Sequence, residues 1–357
     1  MSMAVAMAIP YVMRRLKDLK NYSWLYALVG TLPLLTVLLL GNITYGSKLS
    51  YSIFGISFQP SEFIKIVFVF FIASALYKSA GLLQVAYVTA VAGIHVLLLV
   101  ASRDLGSALI FFVVYVLMVF LATRNFWYLL LGVGGGCGAS VIAYRLFRHV
   151  QVRVQAWKDP WSVIDGEGYQ ITQSLFSLGR GGLFGLGLFQ GAPGDIPKVE
   201  RDFIFSAVSE EMGLIVALCV IMVSLSCFIM FMNISMRLKD RFYQLAAFGM
   251  GILYIFQVFL TIGGDTKFIP LTGVTLPLVS YGGSSIMTTL IMFSIIEGLY
   301  IIRQDEGAVN VKKKNKAAGG RQKAGRTEAE RAGEGEGDKN EESPFGEEWD
   351  GKEKETP

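Results

Sequence analysis

Long apolar runs separated by short polar breaks repeat along most of the chain. A helix needs about 20 apolar residues to cross the roughly 30 Å hydrocarbon layer of a bilayer. This pattern predicts an all-α polytopic membrane protein, a helical bundle with about eight full spans. The predicted spans are residues 23–40, 62–78, 84–101, 105–122, 127–146, 203–232, 243–262 and 283–302.

A shorter apolar segment, residues 1–13, precedes these runs and is too short to span a bilayer comfortably. Basic residues follow this segment at positions 14–20, whereas a signal peptide carries its positive charge in front of the apolar stretch. We therefore interpret it as a partial N-terminal membrane helix, with a signal peptide as the alternative.

Lys and Arg residues cluster in short loops that all fall on one side of the predicted bundle. The clusters at 14–20 and 237–241 are separated by an even number of spans, and the basic residues after Arg303 follow two spans later. By the positive-inside rule, that side is the cytoplasm. The loops expected on the outer face are 41–61, 102–104, 147–202 and 263–282, so the one long loop is extracellular.

The composition agrees with a membrane domain and sets the last part of the chain apart. Hydrophobic residues make up 53% of the chain and charged residues only 17%, and this surplus of apolar side chains must face lipid. Residues 303–357 are rich in charge and almost free of large apolar side chains, so they cannot bury enough surface to fold. We expect a transmembrane domain at 1–302 and a disordered, charged cytoplasmic tail at 303–357.

Several common functional classes find little support. The formal net charge of +4 gives no reason to expect nucleic-acid binding. The three cysteines lie in apolar runs without metal-ligand spacing, and there are only two histidines, His95 and His149. Neither a zinc site nor a Ser-His-Asp triad is predicted.

Ionisable residues in or beside membrane spans are costly, so they indicate function by default. Glu62 and Lys65, at the start of the second span, are three residues apart on one helix face, and Pro60 suits the first helical position. A helix start capped by Ser61, with an internal salt bridge, is the structural alternative. Asp104 is expected to cap the helix that follows it.

The long outer loop runs directly into the sixth apolar span, which carries Glu210 and Glu211 about two turns down. On a continuous helix, Asp202, Ser206 and Ser209 would share one face. This predicts a polar stripe that descends from the outer surface into the membrane. An N-cap with dipole-favoured acids is the structural alternative, although two buried glutamates exceed what a cap requires.

Two further segments are rich in small and polar residues. Hydroxyl groups and glycines at 272–285 predict irregular backbone that lines a cavity, since bare backbone cannot face lipid. A tight helix-packing seam of small residues is the alternative. In the outer loop, a glycine-rich run at 179–191 and nearby hydrogen-bond donors suit a phosphate and sugar ligand.

Together these segments resemble the SEDS family (shape, elongation, division and sporulation), to which RodA and FtsW belong. The five matching motifs cover most of 23–302, and they are residues 59–65, 104–106, 168–174 with the glycines that follow, 202–213, and 272–285. Members usually have ten spans. The resemblance therefore implies that the beginning of this chain is shortened, with residues 1–13 forming the end of a second helix.

The resemblance implies a peptidoglycan glycosyltransferase in a bacterial cytoplasmic membrane, serving elongation, division or sporulation. It would polymerise lipid II at the outer face, beside a class B penicillin-binding protein that supplies crosslinking. The acceptor would be the 4-hydroxyl of the terminal GlcNAc of lipid II, and the donor a glycan chain on undecaprenyl pyrophosphate, with inversion at the anomeric carbon. The resemblance places the essential carboxylate at Asp202, the candidate base. The candidate substrate-binding residues are Arg153, Lys65, Glu62, Ser61, Gln170, Gln173, Ser174, Lys198, Arg201, Ser280, Tyr281 and Ser284.

Some alternatives stay open at this level. Glu210 and Glu211 either bind a divalent cation, Mg²⁺ or Mn²⁺, that supplements the basic residues, or order the cavity. A flippase for lipid-linked precursors and a non-catalytic scaffold for a cell-wall synthesis complex are the rival functions. Flipping needs a polar route to the cytoplasmic face, yet the inner halves of the spans are apolar apart from Glu297.

Overall fold

The computed structural model describes residues 8–10, 19–44, 47–53, 56–166 and 168–304. In these ranges the chain is a bundle of long apolar helices. They are α1 (Ser23–Leu40), α2 (Pro60–Leu76), α3 (Leu82–Ala101), α4 (Leu105–Thr123), α5 (Phe126–Leu146), α9 (Ile204–Arg237), α10 (Arg241–Asp265) and α11 (Gly283–Gln304). The outer loop adds α6 (Arg148–Lys158), α7 (Tyr169–Gly181) and α8 (Val199–Asp202).

The predicted helical membrane bundle is confirmed. Seven of the long helices are apolar and long enough to cross a membrane, and α2, with 17 residues, is slightly shorter than these. The largest difference from the prediction is α9, whose 34 residues extend beyond the span expected at 203–232 and include a non-helical residue at Gly213. The predicted partial N-terminal helix and the predicted tail at 303–357 lie almost wholly outside the described residues.

The outer loop between α1 and α2 forms a small antiparallel sheet that the hydropathy pattern did not predict. Its strands are β1 (Asn42–Thr44), β2 (Ser47–Ile53) and β3 (Ile56–Phe58). The strand β2 pairs with both neighbours, placing Ser50 opposite Asn42 and Tyr51 opposite Phe58. The sequence of β2 alternates between polar and apolar residues, a period typical of a strand.

Polar residues define where several membrane helices begin. Pro60 opens α2, a position where its missing N–H costs nothing. The Asp104 carboxylate accepts a hydrogen bond from the N–H of Ser107 at 3.0 Å, so the predicted cap of α4 is confirmed. At the other end of the bundle, Asp240 caps α10 by accepting from the N–H of Phe242 at 2.9 Å.

The centre of the bundle is α2, which packs against α4 and α10. Phe71 and Ile72 of α2 are fully buried, whereas α5 buries none of its residues and lies at the periphery. His95 is enclosed between Phe68 and Phe111, and its ring hydrogen-bonds the carbonyl of Val91 at 2.8 Å. This histidine is therefore a packing residue.

Candidate active site at the outer ends of the helices

Asp202 is the last residue of the four-residue helix α8, at the end of the bundle that the sequence predicts to face outward. Phe203, which is fully buried, has φ −131° and ψ 24°, and this break separates α8 from α9. The predicted continuous helix face joining Asp202 to Ser206 and Ser209 is therefore wrong. Because of the break, the orientation of Asp202 depends on the loop that holds α8 and is not fixed by α9.

The Asp202 carboxyl is half-buried among charged side chains. Burial raises the pKa of Asp202 above its ordinary value of 3.8, and the neighbouring Glu200 adds to this rise. Three cations, Lys198, Arg201 and Arg153, act in the opposite direction but do not cancel the effect of burial. Asp202 thus binds a proton more tightly than an ordinary aspartate, as a general base should.

The irregular segment after α10 holds α8 in place. The Ser280 hydroxyl donates to the carbonyl of Arg201 at 2.6 Å and accepts from the N–H of Leu276 at 2.8 Å. The N–H of Tyr281 donates to the carbonyl of Glu200 at 2.7 Å. The backbone of 272–282 is irregular, as predicted, while the cavity that it was expected to line stays a prediction. The hydroxyl of Ser280 positions Arg201, the residue next to Asp202.

Arg153 reaches the same segment from α6. Its Nη1 donates to the carbonyls of Leu271 and Thr272 at 3.4 and 3.3 Å. A Cβ placed on Gly273, whose φ is +71°, would lie 3.9 Å from Oδ2 of Asp202. One short stretch of backbone thus brings Arg153 and Asp202 together, as the prediction of a shared site requires.

The helix α7 contributes a buried hydroxyl beneath α8. Ser174 is fully buried, and its hydroxyl lies 2.6 Å from that of Ser206 and donates to the carbonyl of Asp265 at 2.7 Å. On the same helix, Gln170 donates to the carbonyl of Pro197 at 3.2 Å. These contacts tie α7 to both α9 and α10, so Ser174 acts within the frame of the site.

Four predicted substrate-binding residues keep part of their side chains at the surface. Tyr281 is 66% exposed. The others with accessible side chains are Gln170, Gln173 and Ser284, which are all half-buried. These positions remain predicted contacts for a sugar ligand.

Lys65 and Glu62 form the predicted ion pair, at 2.9 Å, deep in the bundle. Lys65 is only 2% exposed, and its ammonium also donates to Gln257 at 2.8 Å. Gln257 in turn donates to the carbonyl of Thr275 at 2.9 Å. The pair therefore supports the segment after α10. A direct contact between Lys65 and a substrate stays a prediction, and it would require this network to open.

Ser61 has a different role from the helix cap that its position suggested. No side chain caps α2, and the Ser61 hydroxyl instead donates to Asp104 at 3.1 Å. Gln59 donates to the Ser61 oxygen at 3.1 Å. Asp104 is thus bonded both to the start of its own helix and to the start of α2, because the two helix ends meet at the outer surface.

Glu210 and Glu211 are bonded to the outer loop. Glu210 is fully buried, and one of its oxygens accepts from the N–H of Ala192 at 3.3 Å and lies 3.5 Å from Arg180. Glu211 accepts from the N–H of Phe189 at 3.2 Å. Across the described ranges, no three acidic, histidine or cysteine side chains come together as a metal site. The observed hydrogen bonds order the outer loop, and binding of a divalent cation by Glu210 and Glu211 stays a prediction.

The glycine-rich run packs against α9 where that helix is interrupted. Gly213 has φ +82°, a conformation that glycine adopts without strain. A Cβ on Gly181 would lie 1.9 Å from the carbonyl oxygen of Ser209, and one on Gly185 would lie 2.2 Å from that of Glu211. Close backbone contact therefore explains why glycine occupies positions 181 and 185. The sequence had suggested instead that this glycine-rich run suits a phosphate and sugar ligand.

The motif analysis did not single out Asp265, a buried acid at the end of α10. It is fully buried, and it interacts electrostatically with Asp202 and with the backbone N–H groups of Phe205 and Ser206. The sequence carried a signal, an acidic residue three positions after the end of the predicted apolar span 243–262. It was missed because the outer loop was predicted to begin at 263.

Comparison with known proteins gives consistent results. Residues 1–304 match the model of the cell cycle protein family of FtsW, RodA and SpoVE. The peptidoglycan glycosyltransferase RodA of Mycobacterium tuberculosis is 34% identical over 299 residues, covering 78% of this chain and 64% of that protein. A probable peptidoglycan glycosyltransferase FtsW of Aliivibrio salmonicida is 31% identical over 288 residues, covering 77% of this chain and 72% of that protein.

Solved structures share the fold. A chain of a peptidoglycan synthase complex that coordinates polymerization and crosslinking aligns with a TM-score of 0.72 at 23% identity, over 85% of this chain and 88% of that chain. At this identity the alignment shows a common fold. The present chain spans slightly less than two thirds, 64%, of the length of the mycobacterial RodA.

Proposed function

This chain belongs to the FtsW, RodA and SpoVE family of cell cycle proteins, and from that membership and the site at Asp202 we propose that it is a peptidoglycan glycosyltransferase. It is a multi-pass bacterial membrane protein. In the proposal it polymerises lipid II into glycan strands at the outer face of the cytoplasmic membrane. The observation that carries the proposal is a half-buried carboxyl surrounded by three cations at the outer helix ends.

The proposed reaction is a single displacement at the anomeric carbon of the donor. The 4-hydroxyl oxygen of the acceptor GlcNAc forms a bond to that carbon, while the bond from the carbon to the undecaprenyl pyrophosphate oxygen breaks. The electron pair of the broken bond leaves with the pyrophosphate, and the hydroxyl proton passes to Asp202. One attack of this kind inverts the configuration of the anomeric carbon, and a single base is sufficient.

The cations near Asp202 have a separate task in this proposal. Negative charge builds on the pyrophosphate as its bond breaks, and Arg153, Lys198 and Arg201 would stabilise that charge through hydrogen bonds. Pyrophosphate is already a good leaving group, so aligning the two substrates is the larger contribution of the protein. The same cations weaken Asp202 as a base, and burial of its carboxyl offsets this effect.

The other predicted site residues divide into two groups by their contacts. Residues whose polar atoms are bonded within the protein would hold the site in shape, and these are Lys65, Glu62, Ser61, Ser174 and Ser280. Residues with accessible side chains would contact the sugar or peptide of lipid II, and these are Gln170, Gln173, Tyr281 and Ser284. Glu210 and Glu211 would order the outer loop.

The proposal includes a partner that crosslinks the new strands. A class B penicillin-binding protein is the proposed partner, and the similar fold of a chain from a synthase complex that couples polymerization to crosslinking supports this choice. Copurification of the two full-length proteins from detergent-solubilised membranes tests the pairing. Separate elution of both proteins, under conditions in which each stays folded, would remove the partner from the proposal.

Strand synthesis from purified lipid II, with and without the partner, tests the proposed activity. Asp202→Asn and Asp202→Ala should lose about 10²- to 10⁴-fold in rate, the usual contribution of a general base. Asp195→Asn is the matched control, since Asp195 is an exposed acid in the same outer loop. It should polymerise like the wild type.

Three outcomes would contradict the proposal in different ways. Normal polymerisation by Asp202→Asn would show that the base is assigned wrongly. If the wild type forms no strands with its partner while labelled lipid II crosses liposome membranes, the protein is a flippase. If neither strands nor transfer occur although the folded protein binds its partner, it is a scaffold.

A further inference from the structure

Asp265 is a buried acid at the site that the proposed chemistry does not use. The residue has no exposed surface, and neither of its carboxyl oxygens makes a standard hydrogen bond to any residue that the structure describes. A buried polar group without a partner is costly, so its presence calls for a physical reason.

The groups that act on the Asp265 carboxyl differ from those that act on the Asp202 carboxyl. The groups that act on its carboxyl are Asp202 and the backbone N–H groups of Phe205 and Ser206 in the first turn of α9. Its own carbonyl accepts from Ser174, which fixes the end of α10 against α7. The charged groups that act on Asp202 are Lys198, Arg201, Arg153 and Glu200, so the cations lie around Asp202 and not around Asp265.

These surroundings decide where a negative charge is stable. An ionised carboxylate buried without a cation is strongly disfavoured, and two adjacent carboxylates cannot both ionise cheaply. The N-terminus of α9 offers only about half an elementary charge of compensation. A charge on Asp202 beside its three cations is therefore favoured over a charge on Asp265.

We propose that Asp202 and Asp265 form a carboxylate pair that carries one negative charge, with the charge on Asp202 and the proton on Asp265. This inference rests on the proposed glycosyltransferase function, and it makes Asp265 a positioning residue that acts through Asp202. Its retained proton keeps the site from becoming doubly negative, so that the anionic pyrophosphate of the substrate can approach. When Asp202 accepts the acceptor hydroxyl proton, the pair becomes neutral and then returns one proton to solvent.

Infrared spectroscopy of the full-length protein tests the proton position without requiring catalysis. The carbonyl-stretch band of a protonated, buried carboxylic acid should be present in the wild type at neutral pH. The band should be lost in Asp265→Asn and retained in the control Asp195→Asn. An unchanged band in a folded Asp265→Asn variant would overturn the inference. If that variant does not fold, the wild type alone decides, because the absence of such a band at neutral pH would also overturn it.

The pH profile of strand synthesis gives the second test. At alkaline pH, ionisation of Asp265 makes the wild-type site doubly negative, so its kcat/KM should decline through a rise in KM. Asp265→Asn is neutral at every pH and keeps the shape of the acid, so its kcat/KM should lose the alkaline decline. Asp265→Leu, which can neither donate nor accept a hydrogen bond, should be slower than Asp265→Asn.

The outcomes separate this inference from the proposed function. Superimposable pH profiles of the wild type and Asp265→Asn would show that the two carboxyls are not coupled. Loss of activity in Asp265→Asn equal to that of Asp202→Asn at every pH would show that Asp265 itself carries the required charge. If the wild type forms no strands, the proposed function fails, and the infrared result still decides where the proton lies.

Discussion

The buried pair of Lys65 and Glu62 allows a sharp test of how the site is supported. Among the residues that the structure describes, two lysine–carboxylate pairs have similar lengths and very different surroundings. The Lys65–Glu62 distance is 2.9 Å, with side chains 1% and 8% exposed, and the Lys20–Asp240 distance is 3.1 Å, with side chains 36% and 28% exposed. The chemistry is the same, so the comparison isolates the effect of burial.

Lys65→Met should lower the free energy of unfolding by about 3–5 kcal/mol, because it leaves the buried charge of Glu62 unpaired. The same change also removes the donor to Gln257, which holds the segment after α10. Lys20→Met should cost only about 0–1 kcal/mol, since water solvates the remaining carboxylate of Asp240. The double variant Lys65→Met/Glu62→Gln should be more stable than Lys65→Met alone, because it removes the unpaired charge.

Reversible unfolding in mixed micelles, followed by circular dichroism, measures these differences. The reasoning would be refuted if Lys65→Met and Lys20→Met had equal costs within about 0.5 kcal/mol, the usual limit of additivity for independent sites. Equal costs would mean that water reaches Lys65. In that case its ammonium would be available to a substrate, in line with the prediction that Lys65 is a substrate-binding residue.

Two further predictions concern Asp202 and the glycines of α7. The folded-state pKa of Asp202 is raised above its ordinary value of 3.8. The protonated carboxyl of Asp202 therefore contributes its full stabilisation below pH 3.8, and this stabilisation is lost as the pH rises through the folded-state pKa. Asp202→Asn should therefore melt at a higher temperature than the wild type at neutral pH. Equal melting temperatures of the two proteins at neutral pH would contradict the raised pKa. Gly181→Ala should cost at least about 1–3 kcal/mol, because its Cβ would lie 1.9 Å from the carbonyl oxygen of Ser209. Gly179→Ala, on the same helix with nothing within 4 Å, is the control, and equal thermal stability of the two variants would refute the packing argument.

The features predicted correctly from the sequence are those that depend on local spacing. The spans could be located because the bilayer thickness requires a run of apolar residues, a property that neighbours along the chain determine. The Glu62–Lys65 pair and the Asp104 cap followed from residues three apart on one helix turn. The outer position of Asp202, which was inferred by counting spans between basic loops, stays a prediction.

The small outer sheet shows a limit of the hydropathy reading. Alternation in β2 is a strand signal, but it is short and lies in a loop between long apolar runs. Hydropathy averaged over the length of a membrane helix, about 20 residues, hides the shorter alternation of β2. A separate search for two-residue periodicity in the outer loops could have found β2.

Only the tertiary structure decided how the site is assembled. The break at Phe203, the contact of Ser280 with Arg201 across 79 residues of chain, and the proximity of Asp265 to Asp202 all depend on how distant segments pack. No local spacing encodes such contacts, because they are set by which helix ends meet at the outer surface. The sequence by itself thus determined a bundle of membrane-spanning helices, while packing determined which groups surround Asp202 at the end of that bundle.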